Sequence, residues 1–305
     1  MRRSIEMTDT EIAAVRAMLA ANPRPPDLAT RRKRLDGLSA LYELPADVRI
    51  TAEDANGVAA EWTDTPAADR SRVILFLHGG GYVSGSILSH RQMVAEAGRQ
   101  AGSRTLALNY RLAPEHPFPA AVDDALAGYR FLLSQGYQPN HIAIAGDSAG
   151  GGITLAALVS LRDAGEPLPA CAWCVSPWVD LECLGASMNT KAATDPMIQK
   201  PYLQEIAAAY LHGADPRAPT AAPLYARLNG LPPLLIQVGS AETLLDDSIR
   251  IAGAAGAADV RVTLEVWPDM IHVWHLFYPQ LTSGRGALAS AGRFIQSHTG
   301  GAAMA

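Results

Sequence analysis

Two glycine-rich stretches carry residue types suited to acyl transfer. Gly146-Asp147-Ser148-Ala149-Gly150 is a G-x-S-x-G that follows the apolar run HIAIA and opens the run GGGITLAALVSLR. Glycines at those positions permit a sharp strand-to-helix turn that lifts the serine hydroxyl above a sheet, and a helix N-terminus beneath it favours developing negative charge. About 0.1 such matches are expected by chance in a chain of this composition, so the flanking strand and helix carry the assignment of Ser148 as nucleophile. His78-Gly79-Gly80-Gly81 closes the apolar run VILFL. Three successive glycines let the backbone approach a substrate and aim N–H groups at a carbonyl oxygen, which is how an oxyanion hole is built. His78 precedes the nucleophile in the chain and reads as a group that orients this loop, not as the base.

The base is expected one short loop past the last core strand. VRVTLEV (260 to 266) is followed by Trp267-Pro268-Asp269-Met270-Ile271 and then His272, the one histidine of the eight placed this way. His275 lies deeper in a helical run and reads as a packed residue. A carboxylate that holds the imidazole in its working tautomer and stabilises the imidazolium should follow the preceding strand, LLIQVG (234 to 239). Glu242 comes first there and is the favoured acid. Asp246 is second, because it and Asp247 come a turn later, where they can serve as acidic first-turn residues of a new helix. The order Ser148, Glu242, His272 is the nucleophile, acid, base order of an α/β-hydrolase.

These residues need a sheet to hold them. VILFLH (73 to 78), TLALNY (105 to 110), HIAIAG (141 to 146), ACAWCVS (170 to 176), LLIQVG and VRVTLEV read as strands, mostly apolar throughout, as in a mainly parallel sheet buried on both faces. Amphipathic stretches near 87 to 101, 119 to 135, 149 to 164, 243 to 255 and 284 to 298 alternate with them, which predicts a doubly wound α/β sheet. Residues 47 to 53 and 58 to 63, joined by Asn56-Gly57, predict an antiparallel edge hairpin. Residues 1 to about 45 are helical and broken by Pro23, Pro25 and Pro26, and residues 181 to 225 lack strands. The two segments are expected to form a helical cap over a catalytic domain that spans 46 to 305.

Composition narrows the alternatives. With 305 residues, 49% hydrophobic and 18% charged, the chain can build a core, which excludes a disordered or fibrous protein. Its 25 basic and 30 acidic residues include no block of five like charges, so no nucleic-acid partner is expected. Arg31, Arg32, Lys33 and Arg34 form the one basic run and read as a solvated helix face. No run reaches the roughly 18 apolar residues of a membrane span, and no apolar stretch of signal-peptide length precedes Asp9 and Glu11. Cys171, Cys174 and Cys183 are sparse and odd in number, and the C-x-x-C lies inside a strand, which predicts core packing and a reducing cytoplasm.

With Tyr110-Arg111-Leu112-Ala113-Pro114-Glu115-His116-Pro117-Phe118-Pro119-Ala120 between the H-G-G-G and the G-D-S-A-G-G-G, the chain resembles the bacterial hormone-sensitive lipase family of carboxylesterases from about residue 73 to 295. The resemblance implies an α/β-hydrolase fold, oxyanion donors at the N–H groups of Gly80, Gly81 and Ala149, and N-terminal helices capping an acyl pocket. Glu115 and Asp147 are then scaffold groups that tie active-site loops together. Many members have Asp-Pro-Leu where this chain has Glu242-Thr243-Leu244, so the acid here is Glu. The expected protein is a serine carboxylesterase acting on short- to medium-chain esters through an acyl-enzyme, with no metal or organic cofactor and with a homodimer as the one assembly left open. An amidase or peptidase on the same fold is the enzymatic alternative. A ligand receptor that has lost its histidine is the non-enzymatic one, and the presence of His272 argues against it.

Overall fold

The six apolar runs become six adjacent, parallel strands of one eight-stranded sheet. A computed structural model describes residues 2–37 and 41–300, with the backbone alone for 2–9; Met1, 38–40 and 301–305, part of the expected cap and the end of the catalytic domain, lie outside the described residues. The strands are β1 (Arg49–Asp54), β2 (Ala59–Asp64), β3 (Asp69–Leu77), β4 (Ser103–Leu108), β5 (Ile142–Asp147), β6 (Cys171–Val175), β7 (Leu234–Gly239) and β8 (Val262–Trp267). Their order is β1-β2-β4-β3-β5-β6-β7-β8. The first two pairings, β1 with β2 and β2 with β4, are antiparallel. Asn56 and Gly57 turn the hairpin with φ of +58° and +87°, the left-handed pair that a two-residue turn requires. Every residue of β5, β6 and β7 is buried, whereas β8 at the sheet edge has only half-buried and exposed residues.

Helices α3 (Ile87–Ala101) and α9 (Thr282–Thr299) cover one face. The other face is covered by α4 (Ala120–Ser134), α5 (Ala149–Asp163) and α8 (Leu245–Ala257). Cys171 belongs to the first core and Cys174 to the second, because residues three apart on a strand point to opposite faces. The C-x-x-C therefore cannot close on one ligand. Burial pushes both thiols up to about 12, which leaves them inert. Trp178, just after β6, is fully buried in the second core.

The N-terminal segment folds as α1 (Arg2–Ala21) and α2 (Leu28–Asp36), and the segment between β6 and β7 carries α6 (Ser187–Thr190) and α7 (Lys200–Leu211). Ile12 and Val15 of α1 are buried against Met270, Ile271, Trp274 and Phe277, which surround His272 in sequence. One sequence reading needs correction here: the basic run on α2 is not simply a solvated face. Arg32 donates to Val83 O at 2.7 Å, to Ala113 O at 2.9 Å and to both oxygens of Glu115, and Arg31 reaches Glu205 on α7 at 3.2 Å. The periodicity of α2 could not reveal this, since the partners of Arg32 lie 51 to 83 residues away in the chain and Glu205 lies 174 from Arg31.

Candidate active site

Ser148 follows β5 directly and begins α5. Its backbone sits at φ +53° and ψ −118°, a strained conformation for a residue with a Cβ, which aims the side chain away from the sheet. Small neighbours make the turn possible. A Cβ on Gly146 would lie 2.4 Å from Gly150 O, and one on Gly150 would lie 1.9 Å from Leu77 O. The turn is held by Ser148 N donating to Val175 O at 2.8 Å, and by Ser148 O accepting from Gly152 N and Trp178 N.

His272, placed by the loop after β8, brings Nε2 to 2.9 Å from Ser148 Oγ and Nδ1 to 2.7 Å from Glu242 Oε2. An ionised carboxylate can only accept, so Nδ1 carries the proton and Nε2 is left to accept from the serine hydroxyl. Glu242 is fully buried just past β7, and its second oxygen accepts from Gly239 N at 2.8 Å and Ser176 Oγ at 2.9 Å. Ser176 Oγ in turn accepts from Val273 N, next to His272, at 3.3 Å. Sequence reasoning did not single out Ser176; its one signal was a polar residue closing an apolar strand. Asp246 points elsewhere, accepting from Ser187 N at 2.9 Å, so the structure brings Glu242 and not Asp246 to the imidazole.

Burial is the largest influence on His272 and opposes its charge. The hydrogen bond to Glu242 and the charges of Glu242, Asp195 and Asp147 outweigh it, and the imidazole titrates above its ordinary value. Burial pushes the Glu242 carboxyl up, with the imidazole pulling against it. His275 behaves differently: burial alone holds it at about 3, and its Nε2 is 2.9 Å from Gln237 Oε1 inside the core.

The loop after β3 lies beside the serine. Gly80 has φ +126° and Gly81 φ +67°, and a Cβ on Gly80 would fall 2.0 Å from Ser84 O. Among the described residues the N–H groups of Gly80, Gly81 and Ala149 donate to no protein acceptor. Gly79 N instead donates to Asp147 Oδ1 at 3.0 Å, and Asp147 Oδ2 lies 3.2 Å from His90 Nε2, so Asp147 ties the elbow to the glycine loop. His78 stacks on Tyr110 with ring centroids 4.2 Å apart and places Nδ1 2.8 Å from Gly79 O; burial holds it at about 3. Ile206 of α7 packs over Gly81, where an added Cβ would meet its Cδ1 at 2.3 Å. Across this mouth Arg24 stacks 3.5 Å above the Tyr202 ring and donates to Met197 O, and Arg16 donates to Thr194 O and Asp269 O.

Known proteins share the fold and much of the sequence of this chain. A family model described as alpha/beta hydrolase fold matches residues 74–276. An acetyl-hydrolase of Streptomyces hygroscopicus is 52% identical over 241 residues, 79% of this chain and 80% of that one. A crystal structure of an esterase from the bacterial hormone-sensitive lipase family superposes with a TM-score of 0.92 at 49% identity, covering 97% of this chain and 99% of the other. A crystal structure of EstE5 soaked with p-nitrophenyl butyrate gives a TM-score of 0.92 at 47% identity over 95% of this chain and 99% of its own. The chain thus belongs to the α/β-hydrolase family, among the esterases of the bacterial hormone-sensitive lipase group.

Proposed function

We propose that Ser148, His272 and Glu242 are the catalytic triad of this carboxylic ester hydrolase, with the N–H groups of Gly80, Gly81 and Ala149 as its oxyanion hole. The observation that carries the assignment is the unbroken line from Ser148 Oγ through both imidazole nitrogens to a buried carboxylate, beside three unused N–H donors. Ser148 Oγ attacks the ester carbonyl as its proton passes to His272 Nε2. The tetrahedral oxyanion is held by the three N–H groups, and Glu242 stabilises the imidazolium. His272 then returns the proton to the departing alcohol, and a water deprotonated by His272 frees the acid from the acyl-enzyme.

The triad alone does not choose between ester and amide. One of these proteins is named an esterase, one an acetyl-hydrolase, and a third was soaked with the ester p-nitrophenyl butyrate, which supports the ester reading over the amidase one. A receptor reading needs a lost base, whereas His272 sits 2.9 Å from Ser148 Oγ. The N-terminal helices with α6 and α7 act as the cap; what supports this is that Arg24 and Arg31 join the N-terminal segment to Met197 O and to Glu205 of α7, while Arg16 and Arg32 reach Asp269 O and Val83 O in the loops that bear the site. A small cap favours acyl chains of roughly two to eight carbons, each buried methylene adding up to about 0.8 kcal/mol until the pocket is full. Three buried free thiols support a cytoplasmic location, and among the described residues no helix is long and apolar enough to cross a membrane.

The test is kcat/KM across p-nitrophenyl esters and matching anilides for the wild type and Ser148→Ala. Esters should be cleaved far faster than anilides, and the folded variant should lose nearly all turnover. Faster anilide hydrolysis would overturn the ester reading, and a variant retaining more than about a tenth of the wild-type rate would remove Ser148 as nucleophile.

A further inference from the structure

The loop between α6 and α7 holds a carboxylate that the triad does not use. Asp195 is buried, and both of its oxygens are fully engaged. Oδ1 accepts from Met197 N at 2.8 Å and Ile198 N at 2.9 Å, which fixes its own loop. Oδ2 accepts from Thr243 N at 2.8 Å and Thr243 Oγ1 at 3.1 Å. Thr243 directly follows Glu242 and is itself fully buried. A proline at that position would have neither donor, so this contact depends on the threonine that follows Glu242 in this chain.

The same loop receives the N-terminal segment. Arg16 donates to Thr194 O at 2.6 Å and to Asp269 O at 3.2 Å, three residues before His272, and Arg24 donates to Met197 O. Asp195 therefore lies between the docked helices on one side and the acid loop on the other. Its charge also reaches the pair, raising both Glu242 and His272. The other charged groups facing this cluster are Asp147 from the end of β5, which acts on His272, and Arg24, which faces Asp195.

We propose that Asp195 is a positioning residue for the Glu242–His272 pair, fixing the backbone after Glu242 and joining it to the docked N-terminal segment. The proposal rests on Glu242 and His272 being the acid and base. Four N–H and O–H donors on one buried carboxylate leave it no alternative rotamer of equal energy, so the acid loop inherits the rigidity of the segment across from it. In Asp195→Asn one side of the group must turn an NH2 toward N–H donors, releasing either Thr243 or the 197–198 turn.

The experiment measures kcat, KM and the pH profile of kcat/KM on p-nitrophenyl butyrate for Asp195→Asn, with Thr243→Val as second variant and Asp246→Asn as control. Asp195→Asn should lower kcat by about 10- to 100-fold with KM changed less than about threefold, since small misplacement of a catalytic group acts on the transition state. Its acidic limb should also move to lower pH, because a negative charge that favours the imidazolium has gone. A merely structural role would leave that limb in place. Thr243→Val removes the hydroxyl donor but keeps the backbone one, and should lower kcat by a few-fold, about 3 to 10. Asp246→Asn should leave the limb unmoved. A folded Asp195→Asn with wild-type kcat and limb overturns the proposal, and if that variant does not fold, wild-type kinetics in Thr243→Val overturn it instead. Loss in Glu242→Gln without loss in these variants removes the positioning role alone, whereas full activity in Glu242→Gln removes the triad reading beneath it.

Discussion

Replacing Glu242 with Gln changes few atoms and reverses one hydrogen bond. One carboxylate oxygen accepts from Gly239 N and Ser176 Oγ, so the glutamine carbonyl must take that place. Its NH2 then faces His272 Nδ1 at the position where a 2.7 Å contact now accepts a proton. Nδ1 can meet an NH2 only as an acceptor, which moves the ring proton to Nε2 and points it at Ser148 Oγ. The imidazole can no longer take the serine proton from that tautomer, and the imidazolium loses its counter-charge. Breaking a fully buried charged pair is worth about 3 to 5 kcal/mol, or roughly 10² to 10⁴ in kcat, with KM nearly unchanged because the pairing strengthens only as charge develops. The assay is steady-state hydrolysis of p-nitrophenyl butyrate from pH 5 to 9. In the wild type His272 titrates above the ordinary histidine value, so kcat/KM should be lost as pH falls through a limb above about 6.5. In Glu242→Gln whatever activity survives should show a limb at lower pH, since the carboxylate that raised the imidazole is gone. A variant with more than a tenth of the wild-type kcat, or an unmoved limb, would refute this reasoning.

Removing residues 1 to 35 should uncover the apolar surface of Met270, Trp274 and Phe277 and release the Arg32 contacts to Val83 O and Ala113 O. A kcat/KM series against acyl length should then fall more for hexanoate and octanoate than for acetate; a full-length preference for palmitate, or an unchanged series after truncation, removes the cap as the length gauge. Asp247 offers a test on stability. Burial pushes its carboxyl up to about 7, and among the described residues its Oδ1 has no hydrogen-bond partner while Oδ2 accepts from Val179 N and Asp180 N. A group whose folded value is raised weakens the fold as pH rises from its unfolded value near 4 through about 7, by at most about 4 kcal/mol. Asp247→Asn, neutral throughout, should therefore gain most in Tm relative to wild type above pH 7 and little at pH 5, and equal Tm differences at both pH values would show that the carboxyl ionises freely in the fold.

By itself the sequence was enough to place the strands, the helix behind Ser148 and the loops that bear Ser148, Glu242 and His272. The reason is local. Continuous apolar runs mark strands buried on both faces, and the glycines of the elbow and the H-G-G-G loop report conformations that side chains would forbid, as the close Cβ approaches at Gly150 and Gly80 show. Other features were decided by tertiary structure. Ser176 and Asp195 hold the loop of Glu242, yet Ser176 is 66 residues from Glu242 and Asp195 is 48 from Thr243, and beyond Ser176 being a polar residue that closes an apolar strand nothing local marks them. The basic run on α2 read as solvent-facing because charge on a helix usually is; whether Arg32 meets water or the carbonyls of Val83 and Ala113 depends on where the helix docks. The choice between Glu242 and Asp246 fell to the same kind of evidence. Both carboxylates follow β7, but the turn places one at His272 Nδ1 and gives the other to Ser187 N, because hydrogen bonds across distant segments are satisfied only when the whole chain has packed.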